Sequence, residues 1–134
     1  MSRLYNILNK LIDTVISLSN TVTSIDDYVT EKGVKGRWQY TKYNSGKVEA
    51  WCNNLSFGDK TSNVWVAPIR YVDVTGAIPA GIFKSAPTLT ITSSTNQWWV
   101  NNANATSATA FTSRLCTLAS GSNATYVNVY AVSQ

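Results

Sequence analysis

Side chains able to do covalent chemistry are scarce in this 134-residue chain. There is no histidine, which removes Ser-His-Asp and Cys-His catalysis and histidine metal ligation together. The carboxylates are Asp13, Asp26, Asp27, Glu31, Glu49, Asp59 and Asp73. A glycosidase needs two of them facing one bond, and no spacing here brings a pair together. Cys52 and Cys116 lack the paired spacing of a metal or redox centre. Two buried free thiols in a reducing compartment are the default reading, with a disulfide between them left open. There is no glycine-rich phosphate loop. These residues predict a chain that is not an enzyme and needs no cofactor or metal.

Binding chemistry is better represented. Trp98 and Trp99 are followed by Val100, Asn101 and Asn102. On a strand, adjacent side chains point to opposite faces, so one indole belongs to the core and the other to the surface or a subunit contact. An indole can stack on the apolar face of a pyranose while carboxamides bond its hydroxyls. Trp98, Trp99, Asn101 and Asn102 are therefore the candidate ligand-binding residues. The competing reading is that both indoles serve packing alone.

The net charge of +4 and pI of about 9.2 do not point to nucleic acid. The basic residues are scattered singly, apart from Lys32, Lys35 and Arg37, and nucleic-acid binders gather them into a patch. From Tyr71 onward the charged residues are Asp73, Lys84 and Arg114. This stretch is rich in Thr, Val and aromatic residues, which suits a β domain clothed in hydroxyls and amides. No run reaches the length of a membrane span, and the N-terminus lacks the apolar core of a signal peptide.

The elements that must position these residues begin with a helix. Leu4, Leu8, Leu11, Val15, Leu18, Val22, Ile25 and Val29 are spaced by alternating steps of four and three, a heptad repeat. A helix of period 3.6 would drift off this register, so a coiled coil is expected with these eight residues as its oligomer interface. Thr, Val, Ser and Asn are weak helix formers, and such a helix is marginal alone in water. Val at a and Leu at d lean toward a dimer. The flanking e and g positions (Tyr5, Ile12, Ser19, Asp26 and Ile7, Thr14, Thr21, Tyr28) hold one charge and widen the apolar stripe, which leans toward a trimer. Gly33 and Gly36 then end the helical pattern.

Beyond Gly36 the period becomes that of strands. Arg37 to Cys52 reads as a hairpin turning at Asn44-Ser45-Gly46. Leu55 to Lys60 reads as a loop, and Val64–Val66 and Ile69–Val74 as short strands. Thr75 to Ala86 reads as a connection. Further strands are expected at Thr88–Thr92, Gln97–Val100, within Thr106–Leu118, and at Tyr126–Val132. Short strands at roughly ten-residue intervals predict a mainly β chain with an antiparallel β-sandwich head. The expected division is residues 1–32 as a coiled-coil stalk, 33–36 as a linker and 37–134 as the head.

The hairpin Trp38-Gln39-Tyr40-Thr41-Lys42-Tyr43-Asn44-Ser45-Gly46-Lys47-Val48-Glu49-Ala50-Trp51 resembles a motif of tail-fibre and minor structural proteins of tailed phages and prophages. The final strand, Val127 to Val132, is similar to the close of their head domains. The resemblance implies a virion protein made in the bacterial cytoplasm: a homotrimeric fibre or baseplate appendage with a helical stalk and a β head. It implies docking onto other virion tail proteins through the N-terminal helix, and adsorption of the head to a host cell-surface saccharide. A non-adsorbing adaptor module of the virion and a bacterial carbohydrate-binding module are the alternatives. Within the motif, Trp38, Tyr40 and Trp51 are expected to pack, and Lys42 to pair with Glu49 across the strands.

Overall fold

The computed structural model describes residues 2–23 and 27–134. It is mainly β: one N-terminal helix, α1 (Ser2–Thr23), precedes nine strands. These are β1 (Val29–Lys35), β2 (Trp38–Tyr43), β3 (Val48–Thr61), β4 (Asn63–Val66), β5 (Ile69–Ala77), β6 (Thr88–Ser93), β7 (Trp99–Ala105), β8 (Ala110–Thr117) and β9 (Ser122–Ser133). They form a five-stranded sheet, β1-β2-β3-β9-β6, and a four-stranded sheet, β4-β5-β8-β7, with every pairing antiparallel.

One core serves both sheets. Trp38, Tyr40, Ala50, Cys52, Ile91, Val127, Val129 and Ala131 come from the larger sheet, and Val74, Phe111 and Leu115 from the smaller. Phe111 is the joint between them. It is fully buried and meets Trp38 and Phe57 edge-on, each at a ring-centroid distance of 6.4 Å. Edge-to-face contacts place the positive ring edge on the negative π face. The ring also lies across Gly76, its partner on β5, where an added Cβ would fall 2.1 Å from it. The absence of a side chain at Gly76 lets the ring reach the other sheet.

Several expectations need correction. Val29 is not the last heptad position, and residues 33–36 are not a linker. Residues 29–35 form β1, paired along its length with β2. Gly33 is not a helix stop: it sits mid-strand beneath the Tyr40 ring, where a Cβ would lie 2.5 Å from the phenol oxygen. Gly36 is the positive-φ residue of a two-residue hairpin turn between Lys35 and Trp38. The head is tied down from Asp27 onward: Tyr28 and Asn44 exchange hydrogen bonds of 2.9 and 3.0 Å, and Asp27 accepts one from Ser45 N–H. Among the heptad residues, Ile25 lies outside the described residues, and the placement of the Val22 side chain is likewise not described.

The segment Leu55–Lys60 is strand rather than loop. β3 runs to Thr61 against β9 and absorbs two register shifts, with Asn54 and Gly58 at positive φ. Such bulges let a strand continue while bending. Trp51 faces away from the core and donates its Nε1–H to Gln39. Lys42 cannot meet Glu49, because Lys42 pairs with Val48 and Glu49 with Thr41 on the opposite face. Lys42 instead lies 3.3 Å from Glu31.

Glu49 gathers three donors on the outer face of the larger sheet: Lys47 Nζ at 2.7 Å, Tyr43 OH at 3.0 Å and Tyr130 OH at 3.1 Å. The Lys47 ammonium, helped by the two phenols, holds its carboxyl below the usual glutamate value, against a smaller opposing effect of burial. A carboxyl with a lower pKa in the folded than in the unfolded state stabilises the fold above its unfolded value of about 4.5. That contribution is lost as pH falls through the folded value. Urea midpoints should therefore fall on acidification from pH 7 to pH 3. E49Q should be less stable at pH 7 and lose less on acidification; an unchanged pH dependence would show that Glu31 and Asp73 carry it instead.

Candidate functional site

The candidate residues separate in space. Trp98 precedes β7 and is 4% exposed within the core cluster, so it is a packing residue that no ligand reaches. Trp99, the next residue, points to the outer face of the smaller sheet and is 41% exposed. Asn101 is the extra residue at a register shift between Val100 and Asn102, and is exposed. The Asn102 side-chain carbonyl accepts the Arg114 backbone N–H at 2.9 Å. That bond closes the bulge and leaves the amide NH₂ as donor.

Register identifies what shares the face with Trp99. Trp99 pairs with Cys116 on β8, and Cys116 with Tyr71 on β5. Directly opposed residues lie on one face, so Trp99, Cys116 and Tyr71 form a row. Trp65 of β4 completes it, meeting Tyr71 edge-on at 6.0 Å. The neighbouring row holds Asp73, Arg114 and Asn102.

Arg114 fixes this surface. Its guanidinium lies 4.3 Å from the Tyr71 ring centroid and 5.1 Å from that of Trp65. It donates to both carboxylate oxygens of Asp73, at 2.7 and 2.8 Å. This forked geometry is open to arginine and closed to lysine. The Arg114 hydrogen bond lowers the Asp73 pKa, and Asp73 in turn raises that of Arg114. Cys116 is buried in the aromatic row, and burial raises its thiol pKa. Cys52, on the other sheet, is raised for the same reason, and both thiols are free.

Trp65, Tyr71, Asp73 and Arg114 are not among the ligand-binding candidates that the sequence offers. Trp65 and Trp99 lie 34 positions apart, and only the strand order β4-β5-β8-β7 brings them to one face. Among the described residues there is no cluster of three or more acidic or cysteine side chains placed to hold a metal.

The second exposed apolar surface is α1. Every described side chain from Ser2 to Asn20 is exposed, with Leu4, Leu8, Leu11, Val15 and Leu18 between 52% and 69%. The helix lays none of this stripe on either sheet.

No protein-family model and no curated protein sequence matches the chain. Two solved structures share its fold. An N-truncated R1-type pyocin tail fibre aligns with a TM-score of 0.57 at 12% identity, covering 89% of this chain and 95% of that one. A C-terminal fragment of the P. aeruginosa R1 pyocin fibre aligns with a TM-score of 0.55 at 13% identity, over 82% of this chain and 28% of that one. No described helix is long and apolar enough to cross a membrane. The chain thus has a tail-fibre-like fold.

Proposed function

We propose that this protein is a fibre-type component of a phage tail or tail-like particle, a homotrimer whose β heads adsorb to a host cell-surface saccharide. Three copies of α1 wind into a coiled-coil stem that also docks onto another tail protein, and the two sheets of each copy form a sandwich head. The protein belongs to the virion and acts by binding, without turnover.

The observation that carries the reading is the apolar stripe of α1, exposed from Leu4 to Leu18 in one chain, on a head with a tail-fibre-like fold. Exposed apolar stripes of this size mark interaction surfaces, and a/d spacing suits copies of the same helix. A trimer presents each weak head site three times, which raises avidity without new contacts. The purified protein at saturating dose should slow attachment of its particle to the host strain. Attachment that no dose slows on any host strain would leave the adaptor role and end the receptor role.

A further inference from the structure

The outer face of the four-stranded sheet has a length, a charge and a stiffness that together describe a ligand. Trp65 on β4 and Trp99 on β7 stand at its two ends, 44% and 41% exposed. Three strand spacings separate them, roughly 14 Å, about the length of a linear saccharide of three rings. The two charged groups on the face, Asp73 and Arg114, neutralise each other, so the face offers no free charge to an acidic sugar. The guanidinium holds Trp65 and Tyr71 in place, and a preorganised surface loses little entropy on binding. Beside the aromatic row, Asn102 offers its NH₂ group, and the row beyond it carries Thr75, Thr112 and Asn104. Hydroxyls and amides on that side suit the equatorial hydroxyls of a stacked pyranose.

From this juxtaposition we propose that the face is a binding platform for an uncharged linear saccharide of about three rings, its ends stacked on Trp65 and Trp99. The proposal rests on the saccharide reading above and gives it a location, a length and a charge class. Its ligand contacts come from all four strands, so no single sequence segment contains the site.

The whole protein would be screened on a glycan array of neutral and acidic di- to hexasaccharides, and the best binder titrated by calorimetry. Neutral chains of three or more rings should bind, with disaccharides roughly tenfold weaker. Trp65→Ala and Trp99→Ala should each weaken the trisaccharide about tenfold, and together about a hundredfold, as expected for losing one aromatic contact each. Their far-UV circular dichroism and their mass by light scattering should match the parent. If the parent binds glycans but both variants bind equally well, or acidic glycans are preferred, the platform is overturned while the saccharide reading survives. If the parent binds no glycan, both fall. If either variant changes the oligomeric mass, the face is a contact between copies and the platform is overturned.

Discussion

In the trimer proposed above, replacing Leu11 and Leu18 together with Asp should convert a particle of three times 14.7 kDa into a 14.7-kDa monomer by multi-angle light scattering. The two leucines are 59% and 64% exposed in the single chain and occupy consecutive d positions. Burying each against sister helices is worth about 1.5–3 kcal/mol, and a trimer does so six times. Aspartates there would set like charges against one another in an apolar seam, a cost that adds to the lost burial. Because every described side chain of the helix from Ser2 to Asn20 is exposed, the head should keep its near-ultraviolet circular dichroism. The helical signal should fall, since a lone helix of this composition is marginal. An unchanged mass would show that the heads hold the oligomer by themselves, and a monomeric parent at micromolar concentration would end the stem altogether.

The largest effect on the stability of the head is expected at Phe111. Phe111→Ala should cost about 3–5 kcal/mol, a large share of the roughly 5–15 kcal/mol that stabilises a domain of this kind. It deletes the ring that joins the two sheets through Trp38 and Phe57. Gly76→Ala attacks the same joint from the other side. Its methyl would meet the Phe111 ring at 2.1 Å, and the ring has little freedom to retreat because both its neighbours are core or near-core aromatics. Overpacking of this kind costs about 1–3 kcal/mol. The double variant should be more stable than the sum of the two losses, because the alanine methyl occupies space the ring has vacated. Urea unfolding of the four proteins reads this directly; strict additivity would mean that the ring and the glycine do not share that space.

Much of the architecture was legible because it rests on local periodicity. Heptad spacing marked α1, and alternation marked the Trp38–Cys52 hairpin and the closing strand. The expected linker at residues 33–36 is instead part of a hairpin, although Gly33 and Gly36 carry the composition of a helix stop. Their actual uses depend on a distant ring and on a two-residue turn between strands. Leu55–Lys60 was misread because a bulged strand loses strict alternation, and its assignment comes from its partner β9. The Trp98–Trp99 pair was legible as one inward and one outward side chain, since opposite faces follow from the pleat alone. Which indole went inward was decided by the register of β7 on β8.

By itself, the order of residues determined a histidine-free chain without an evident catalytic pair, a helix with an apolar stripe and a sparsely charged β-rich remainder. These are properties of composition and of spacings within about twenty residues. The tertiary structure alone decided that Trp65, Tyr71, Arg114 and Trp99 share one face. Their alignment depends on the order and register in which four strands hydrogen-bond, and the register is held by which faces must be buried around Phe111. A one-residue slip of any strand would turn its contribution inward, so the face exists only because the common core holds every register in place.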